Sequence, residues 1–153
     1  MTLFVPDVNV LVHAFRADSS DHDVYAEWLN GALRTDRIGV ADTTLSGFVR
    51  VVTHSRIFTE PTPPKAALAF VRHLVDAPTT EWLRQGASAW EKFDLLASAD
   101  GAVRGNLVPD AHIAALCLAN GARLAARDRG FARFPDLKWF DPARADRKTS
   151  GTP

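Results

Sequence analysis

Apolar residues along the chain follow two different spacings. Short runs that are largely apolar are typical of buried strands, and they fall near residues 3–5, 38–41, 81–83, 123–126 and 137–140. Between these runs, apolar positions recur every three or four residues, which predicts amphipathic helices near residues 8–15, 25–33, 42–54, 67–74, 89–97 and 109–120. Strands that alternate with helices predict an α/β fold of three α/β/α layers with a central, mostly parallel sheet.

Acidic residues stand at several of the predicted strand–helix junctions. Asp7, Asp42 and Asp128 each follow a predicted strand, and Asp110 lies in the first turn of a predicted helix. Right-handed crossovers bring the carboxyl ends of parallel strands to one edge of the sheet, where such folds bind ligands. Each aspartate taken alone is explained as well or better by helix capping, because caps select Asp strongly.

Carboxylates gathered at one edge repel one another, since a nearby like charge disfavours ionisation. A hard divalent cation removes this repulsion, and Mg²⁺ or Mn²⁺ suits carboxylate oxygen ligands. Taken together, the aspartates at positions 7, 42, 110 and 128 therefore favour a metal site over separate caps. Such a site can orient a phosphodiester, activate water and stabilise a leaving oxygen.

Composition defines the setting of the protein more than its activity. Of the 153 residues, 46% are hydrophobic and 24% charged, as in ordinary globular proteins, and we expect one domain over residues 1–142 followed by a polar tail over 143–153. Cys117 is the single cysteine, which excludes an intrachain disulfide. With no apolar window of membrane-spanning length, the sequence predicts a cytoplasmic protein that does not enter membranes. The net charge is zero, although residues 123–148 are rich in Arg and Lys, which can attract phosphates.

Four segments of the chain together resemble a known family. In their order and spacing they are similar to PIN-domain ribonucleases, and most closely to the VapC toxins of bacterial toxin–antitoxin pairs. The resemblance spans residues 2–142 and implies a PIN-like fold. The segments are Asp7-Val-Asn9-Val-Leu-Val, Gly47-Phe-Val-Arg-Val-Val-Thr53, Pro109-Asp110-Ala-His-Ile-Ala-Ala and Asp128-Arg-Gly-Phe131.

The resemblance implies an Mg²⁺- or Mn²⁺-dependent endoribonuclease that arrests translation and growth, with tRNA or rRNA as the expected substrate. At the matching positions, Asp7, Asp110 and Asp128 are the implied catalytic metal ligands, and Asn9 is an implied polar residue that supports them. The family also implies products with 5′-phosphate and 3′-hydroxyl ends, a VapB-type antitoxin whose tail enters the active site, and a homodimer.

Two positions depart from the family pattern. Gly47 stands where many relatives carry Glu, and we expect Asp42, at the start of the same helix, to replace that acid as a metal ligand. Ala126 stands where Ser or Thr often precedes the last acid. These departures leave open a catalytically weakened PIN-like binding module. An aspartyl-phosphate phosphatase is a further alternative, although Asn9 stands where that class needs a second Asp.

Cationic and aromatic side chains are candidates for contacts with RNA. Arg127 and Arg129 flank Asp128 and are the first candidates for phosphate contacts. Arg50 is a candidate for RNA or antitoxin binding, with a solvated surface role as an equal alternative. Tryptophans can stack on bases, but on amphipathic faces they lie more often in a core or a dimer interface; this chain has Trp28, Trp82, Trp90 and Trp139.

Overall fold

The computed structural model describes residues 1–144 of the chain. Within these residues, five strands form one sheet in the order β3-β2-β1-β4-β5, and every neighbouring pair is parallel. The predicted α/β class is confirmed, with a sheet that is parallel throughout its described strands rather than mostly parallel. The strands are β1 (Leu3–Pro6), β2 (Arg37–Val40), β3 (Thr80–Trp82), β4 (Arg123–Ala125) and β5 (Trp139–Phe140).

Helices connect the strands, and their ends agree with the sequence signals. Pro64 is the first residue of its helix, a position that tolerates the missing backbone amide. Gly121 ends another helix with a φ of 63°, a left-handed conformation that glycine adopts at little cost. The helices are α1 (Val8–Phe15), α2 (His22–Thr35), α3 (Asp42–Val52), α4 (Pro64–Asp76), α5 (Ala87–Ala99) and α6 (Leu107–Asn120), with a short 3₁₀ helix (Arg129–Arg133) after β4.

Two hydrophobic cores lie on opposite faces of the sheet. Leu3 and Val5 of β1 face the first core, which they share with side chains of α5 and α6. Phe4, between them in the strand, packs against the second core together with side chains of α1 to α4. Because alternate residues of a strand point to opposite faces, this pattern produces the expected three layers. Cys117 is fully buried in the first core.

The last strand is shorter than the sequence predicts. Leu137 and Lys138 precede β5, which consists of Trp139 and Phe140. Asp136 has a φ of 66°, so the chain turns immediately before Leu137. The Leu137 side chain then packs into the first core instead of continuing the strand.

The chain beyond β5 belongs partly to the packed structure. Ala143, the first residue of the predicted tail, packs against the second core. Residues 145–153 of that tail lie outside the described residues. Across residues 1–144, none of the helices has the length and apolar character that crossing a membrane requires.

Candidate active site

The carboxyl edge of the sheet carries a row of aspartates. Asp42 comes shortly after β2, Asp7 directly after β1, and Asp128 shortly after β4. Neighbouring strands lie about 4.8 Å apart, so the strand order places Asp7 between the other two along the edge. Asp110 reaches the same edge from the first turn of α6.

Asp7 occupies the junction between β1 and α1 without acting as a side-chain cap. Its backbone amide donates to the carbonyl of Ala125 in β4 at 2.9 Å, which fixes the junction to the neighbouring strand. Asp7 is the N-cap residue of α1, but its carboxylate accepts no capping hydrogen bond. Capping therefore does not account for Asp7, although the adjacent amide of Val8 stabilises its charged form. Asn9 lies in the first turn of α1 with an exposed side chain.

Electrostatic coupling joins three of the predicted acids. Burial raises the pKa of Asp7 to about 6; the Val8 amide opposes part of this rise, and the charges of Asp110 and Asp128 add to it. The pKa of Asp110 is also raised, first by burial and then by Asp128. The structure thus brings Asp7, Asp110 and Asp128 together although they are far apart in the sequence.

Asp128 is held in place by a local turn. It is the N-cap residue of the 3₁₀ helix, and its Oδ1 accepts a hydrogen bond from the amide of Gly130 at 2.7 Å. Capping is therefore one role of Asp128. The same bond fixes the direction of a carboxylate that also raises the pKa of both other acids in the cluster.

Asp42 has a different set of partners from the other acids. Its Oδ1 accepts a hydrogen bond from Nε2 of Gln85 at 2.9 Å, and this bond is the main reason that its pKa is lowered. His112 also contributes to lowering the pKa of Asp42. Asp42 is exposed at the start of α3, one strand away from Asp7.

The three coupled acids suit a divalent cation. Their donors are all carboxylate oxygens, and a cation relieves the repulsion that raises the pKa of Asp7. They do not form a closed cage: within residues 1–144, no three acidic, histidine or cysteine side chains are placed to hold one ion together. Mg²⁺ does not require such a cage, because it commonly keeps several waters and takes one or two carboxylates plus substrate phosphates. The donor set therefore fits Mg²⁺ or Mn²⁺ as an open site.

Position 47 lies beside this cluster. A Cβ atom built on Gly47 would lie 3.1 Å from Cγ2 of Val8, the residue after Asp7. Any side chain at this position therefore makes a tight contact that Val8 must relieve by moving a few tenths of an ångström. The close packing of α3 against α1 explains how a glycine is accommodated where the family pattern has an acid.

The arginines predicted to contact RNA are not equally available. Arg127 forms an ion pair with Asp21 at 2.8 Å and lies over the ring of Tyr25 at 5.3 Å. Arg50 and Arg129 are exposed. The structure therefore gives Arg127 a role in joining β4 to α2 and its preceding loop, which the sequence did not indicate.

A further arginine near the acids was missed by the sequence analysis. Nε of Arg133 donates to Oδ2 of Asp100 at 3.0 Å, and the Arg133 charge opposes the rise in the pKa of Asp110. Arg133 lies at the end of the 3₁₀ helix, and its partner lies 33 residues earlier. The sequence separations of Arg133 from Asp100 and from Asp110 match no known motif, so only the structure identifies Arg133 as a neighbour of the acid cluster.

Comparisons with known proteins agree with the fold. The PIN domain family model matches residues 4–137. VapC ribonuclease Mb2897 of Mycobacterium bovis and Ribonuclease VapC43 of Mycobacterium tuberculosis H37Rv are each 47% identical over 137 residues, covering 89% of this chain and 92% of the relative. The crystal structure of VapBC2 from Rickettsia felis, bound to a DNA fragment from its promoter, aligns with a TM-score of 0.69 at 17% identity, covering 92% of this chain and 98% of that chain. The suspected resemblance is confirmed: this chain belongs to the PIN-domain family and, within it, to the VapC ribonucleases.

Proposed function

We propose that this protein is a metal-dependent endoribonuclease and the toxin of a type II toxin–antitoxin system. The observation that carries the proposal is the coupling of Asp7, Asp110 and Asp128 at one edge of the sheet, which raises the pKa of Asp7. Relatives named as ribonucleases, at 47% identity over most of this chain, support RNA as the substrate. They favour a nuclease over an aspartyl-phosphate phosphatase.

The three acids are proposed to hold Mg²⁺ or Mn²⁺, with Asn9 supporting them. The ion, when bound, supplies a Lewis acid that orients the scissile phosphate and stabilises charge on the leaving oxygen. The backbone of Asp7 is fixed by its bond to Ala125, and the carboxylate of Asp128 is oriented by the amide of Gly130 before substrate binds. Asp42 remains a candidate ligand, although its bond to Gln85 supports a structural role.

Arg133 is proposed to contact the scissile phosphate. Its Nε is held by Asp100, and its charge already acts on Asp110. A guanidinium group suits phosphate oxygens because its fixed donors match their geometry. Arg50 and Arg129, which are exposed, are proposed to contact RNA farther from the bond that is cut.

The proposed partner is a VapB-type antitoxin, and the protein is proposed to act as a homodimer in the cytoplasm. Solved structures that share this fold include VapBC complexes from Rickettsia felis and Salmonella typhimurium, with TM-scores of 0.69 and 0.67. We predict that the substrate is tRNA or rRNA. The surfaces around the acids determine which RNA is cut.

The experiment is cleavage of purified RNA by purified protein, with EDTA, Mg²⁺ or Mn²⁺ present. We expect cleavage with either metal, none in EDTA, and products with 5′-phosphate ends. Asp7→Asn should abolish cleavage, whereas the matched variant Asp94→Asn, at an exposed position of α5, should keep it. An inactive wild-type protein that still binds RNA and antitoxin would instead favour the binding-module alternative.

A further inference from the structure

A groove opens beside the acid cluster, between the loop after β3, the start of α5, and α6. It has a volume of about 360 Å³, and we name it the Trp90 groove. This volume lies at the lower end of the range for small-ligand sites, about 300–1,000 Å³. The groove therefore has room for one planar ring system with its sugar. Its lining includes Gln85, Gly86, Trp90, His112 and Leu116.

One wall of the groove is aromatic. Trp90 is 65% exposed, although it lies in a helix that buries its neighbour Ala89. The Trp90 ring lies 5.2 Å from the ring of Phe93, which in turn lies 6.1 Å from the ring of His112. Phe93 thus supports Trp90 from behind while the other face of the indole remains open. An open, supported aromatic ring is a platform on which another ring can stack.

The opposite wall is fixed by hydrogen bonds. The side chain of Asn120 accepts from the amide of Arg84 at 2.8 Å and donates to the carbonyl of Arg84 at 3.0 Å, which ties the loop to α6. Gln85, the next residue, donates to Asp42 at 2.9 Å. A wall that is ordered before binding loses little conformational entropy when a ligand enters, which favours selective recognition.

The groove lies close to the proposed site of cleavage. Gln85 is bonded to Asp42 after β2, and β2 is the neighbour of β1, which ends at Asp7. One strand spacing is about 4.8 Å, comparable with the reach of one nucleotide. His112 and Asp110 both lie near the start of α6 but on different sides of it, because residues two apart do not face each other, and the effect of His112 on the pKa of Asp42 places the groove at the Asp42 end of the row of acids.

The charges around the groove favour RNA as its occupant. None of the described residues that line the groove is acidic, in contrast with the neighbouring cluster. Arg84 is exposed in the loop that forms one wall, where it can pair with a phosphate of the same strand. The carboxylate of Asp42 borders the groove through its bond to Gln85, and Arg84, the residue before Gln85, supplies the opposite charge for an RNA strand that passes from the cluster to the groove.

We propose that the Trp90 groove holds an unpaired nucleobase of the RNA, next to the bond that is cut. This inference rests on the proposed nuclease function and adds to it a base-recognition site. Trp90 stacks on the base, and the side chains of Gln85 and His112 form hydrogen bonds with its edge. The groove thereby selects which single-stranded sequences present their phosphate to the acids.

The test compares Trp90→Ala with Trp82→Ala, a matched control because Trp82 is 59% exposed on β3 and does not line the groove. Binding of random single-stranded RNA decamers is measured by fluorescence anisotropy in EDTA, where no cleavage is expected. We expect Trp90→Ala to weaken binding about 5- to 100-fold, as for loss of one stacked base, and Trp82→Ala to leave it unchanged. Trp90→Phe, which keeps a stacking ring, should restore most of the affinity.

A second measurement separates this proposal from the nuclease proposal. With Mg²⁺ present, sequencing the cleaved decamers should reveal a base preference beside the cut that Trp90→Ala reduces and Gln85→Ala alters. Equal effects of the two Trp variants on RNA binding would overturn the base site, as would a Trp90→Ala effect confined to self-association or antitoxin binding. Trp90-dependent RNA binding without any metal-dependent cleavage would keep the base site and refute the nuclease.

Discussion

Replacing Asp7 by Asn should stabilise the metal-free protein at neutral pH. Burial, and after it the charges of Asp110 and Asp128, raise the pKa of Asp7 from 3.8 to about 6 despite the opposing Val8 amide. Between these values the folded protein keeps a proton that the unfolded chain has lost, so its stability falls as the pH rises. A shift of about 2 pKa units, the difference between 6 and 3.8, corresponds to about 3 kcal/mol.

The assay is urea unfolding in EDTA at a series of pH values from about 4 to 8. Asn is also a good N-cap residue, so the substitution removes the charge without disturbing the start of α1. The advantage of Asp7→Asn over the wild type should be small near pH 4, grow until about pH 6, and then remain at about 3 kcal/mol. Asp94→Asn, the exposed control, should stay within about 0.5 kcal/mol of the wild type throughout.

Two results would refute this reasoning. One is a difference in unfolding free energy that does not change with pH, which would mean that Asp7 titrates alike in the folded and unfolded protein. The other is an Asp7→Asn protein that is less stable than the wild type at pH 7, which would assign the carboxylate a stabilising contact. Mg²⁺ should reduce the difference in unfolding free energy between Asp7→Asn and the wild type at pH 7, because a ligand that binds only the folded wild type stabilises it.

Three further variants test other parts of the structure. Gly47→Ala and Gly47→Glu place the same Cβ atom 3.1 Å from Val8, so that contact should cost both variants the same stability in the metal-free protein. Only Gly47→Glu should bind Mn²⁺ more tightly than the wild type, and equal Mn²⁺ affinities of the two variants would place position 47 outside the site. Arg133→Gln should lower kcat/KM about 10-fold or more, and the slope of log affinity for RNA against log salt concentration should become shallower by about 1. The control Arg72→Gln, on the exposed side of α4, should change neither quantity. An unchanged slope for Arg133→Gln would exclude a phosphate contact. Tyr25→Phe should lower the free energy of unfolding by about 1–2 kcal/mol, because the buried Tyr25 hydroxyl donates to Asp141 at 2.6 Å. An unchanged urea midpoint would show that this hydrogen bond does not stabilise the protein.

The junction at Asp7 could be predicted because it depends on local sequence. The apolar run of β1 ends at Pro6, and helical spacing begins at Val8, so the strand, its end and the helix are all visible in about ten residues. The meeting of Asp7 with Asp128 required only one general rule, that parallel strands end at a shared edge, whereas Asp110 reaches that edge from the first turn of α6. This part of the site therefore follows from pattern and topology.

Contacts between distant segments could not be predicted in the same way. Asp42 occupies a junction of the same kind as Asp7, but its carboxylate bonds Gln85, 43 residues later. Arg127 is adjacent to Asp128 in the sequence and pairs with Asp21, whereas Arg133 acts on Asp110. Strand order and the path of the 3₁₀ helix decide these pairings, and neither leaves a local signal.

The tryptophans show a similar limit of sequence patterns. An amphipathic spacing favours a core or interface position for Trp82 and Trp90, and both side chains are more than half exposed in the described chain, which excludes the core and leaves the interface as a prediction. Trp90 belongs to a helix that packs on the first core through Ala89, Phe93 and Leu96, so the Trp90 ring remains open. Hydrophobic periodicity identifies the helix but not how deeply that helix is buried.

Binding of Mn²⁺ to the metal-free protein, followed by electron paramagnetic resonance, tests most directly whether three distant aspartates form one metal site. We predict that Asn at position 7, 110 or 128 weakens binding about 10-fold or more in each case. Asp94→Asn should leave the affinity unchanged, and Asp42→Asn should weaken it less than the other three because Gln85 already binds one oxygen of that carboxylate. Equal Mn²⁺ affinity in all five variants, or a loss confined to one of the three acids, would contradict a shared site.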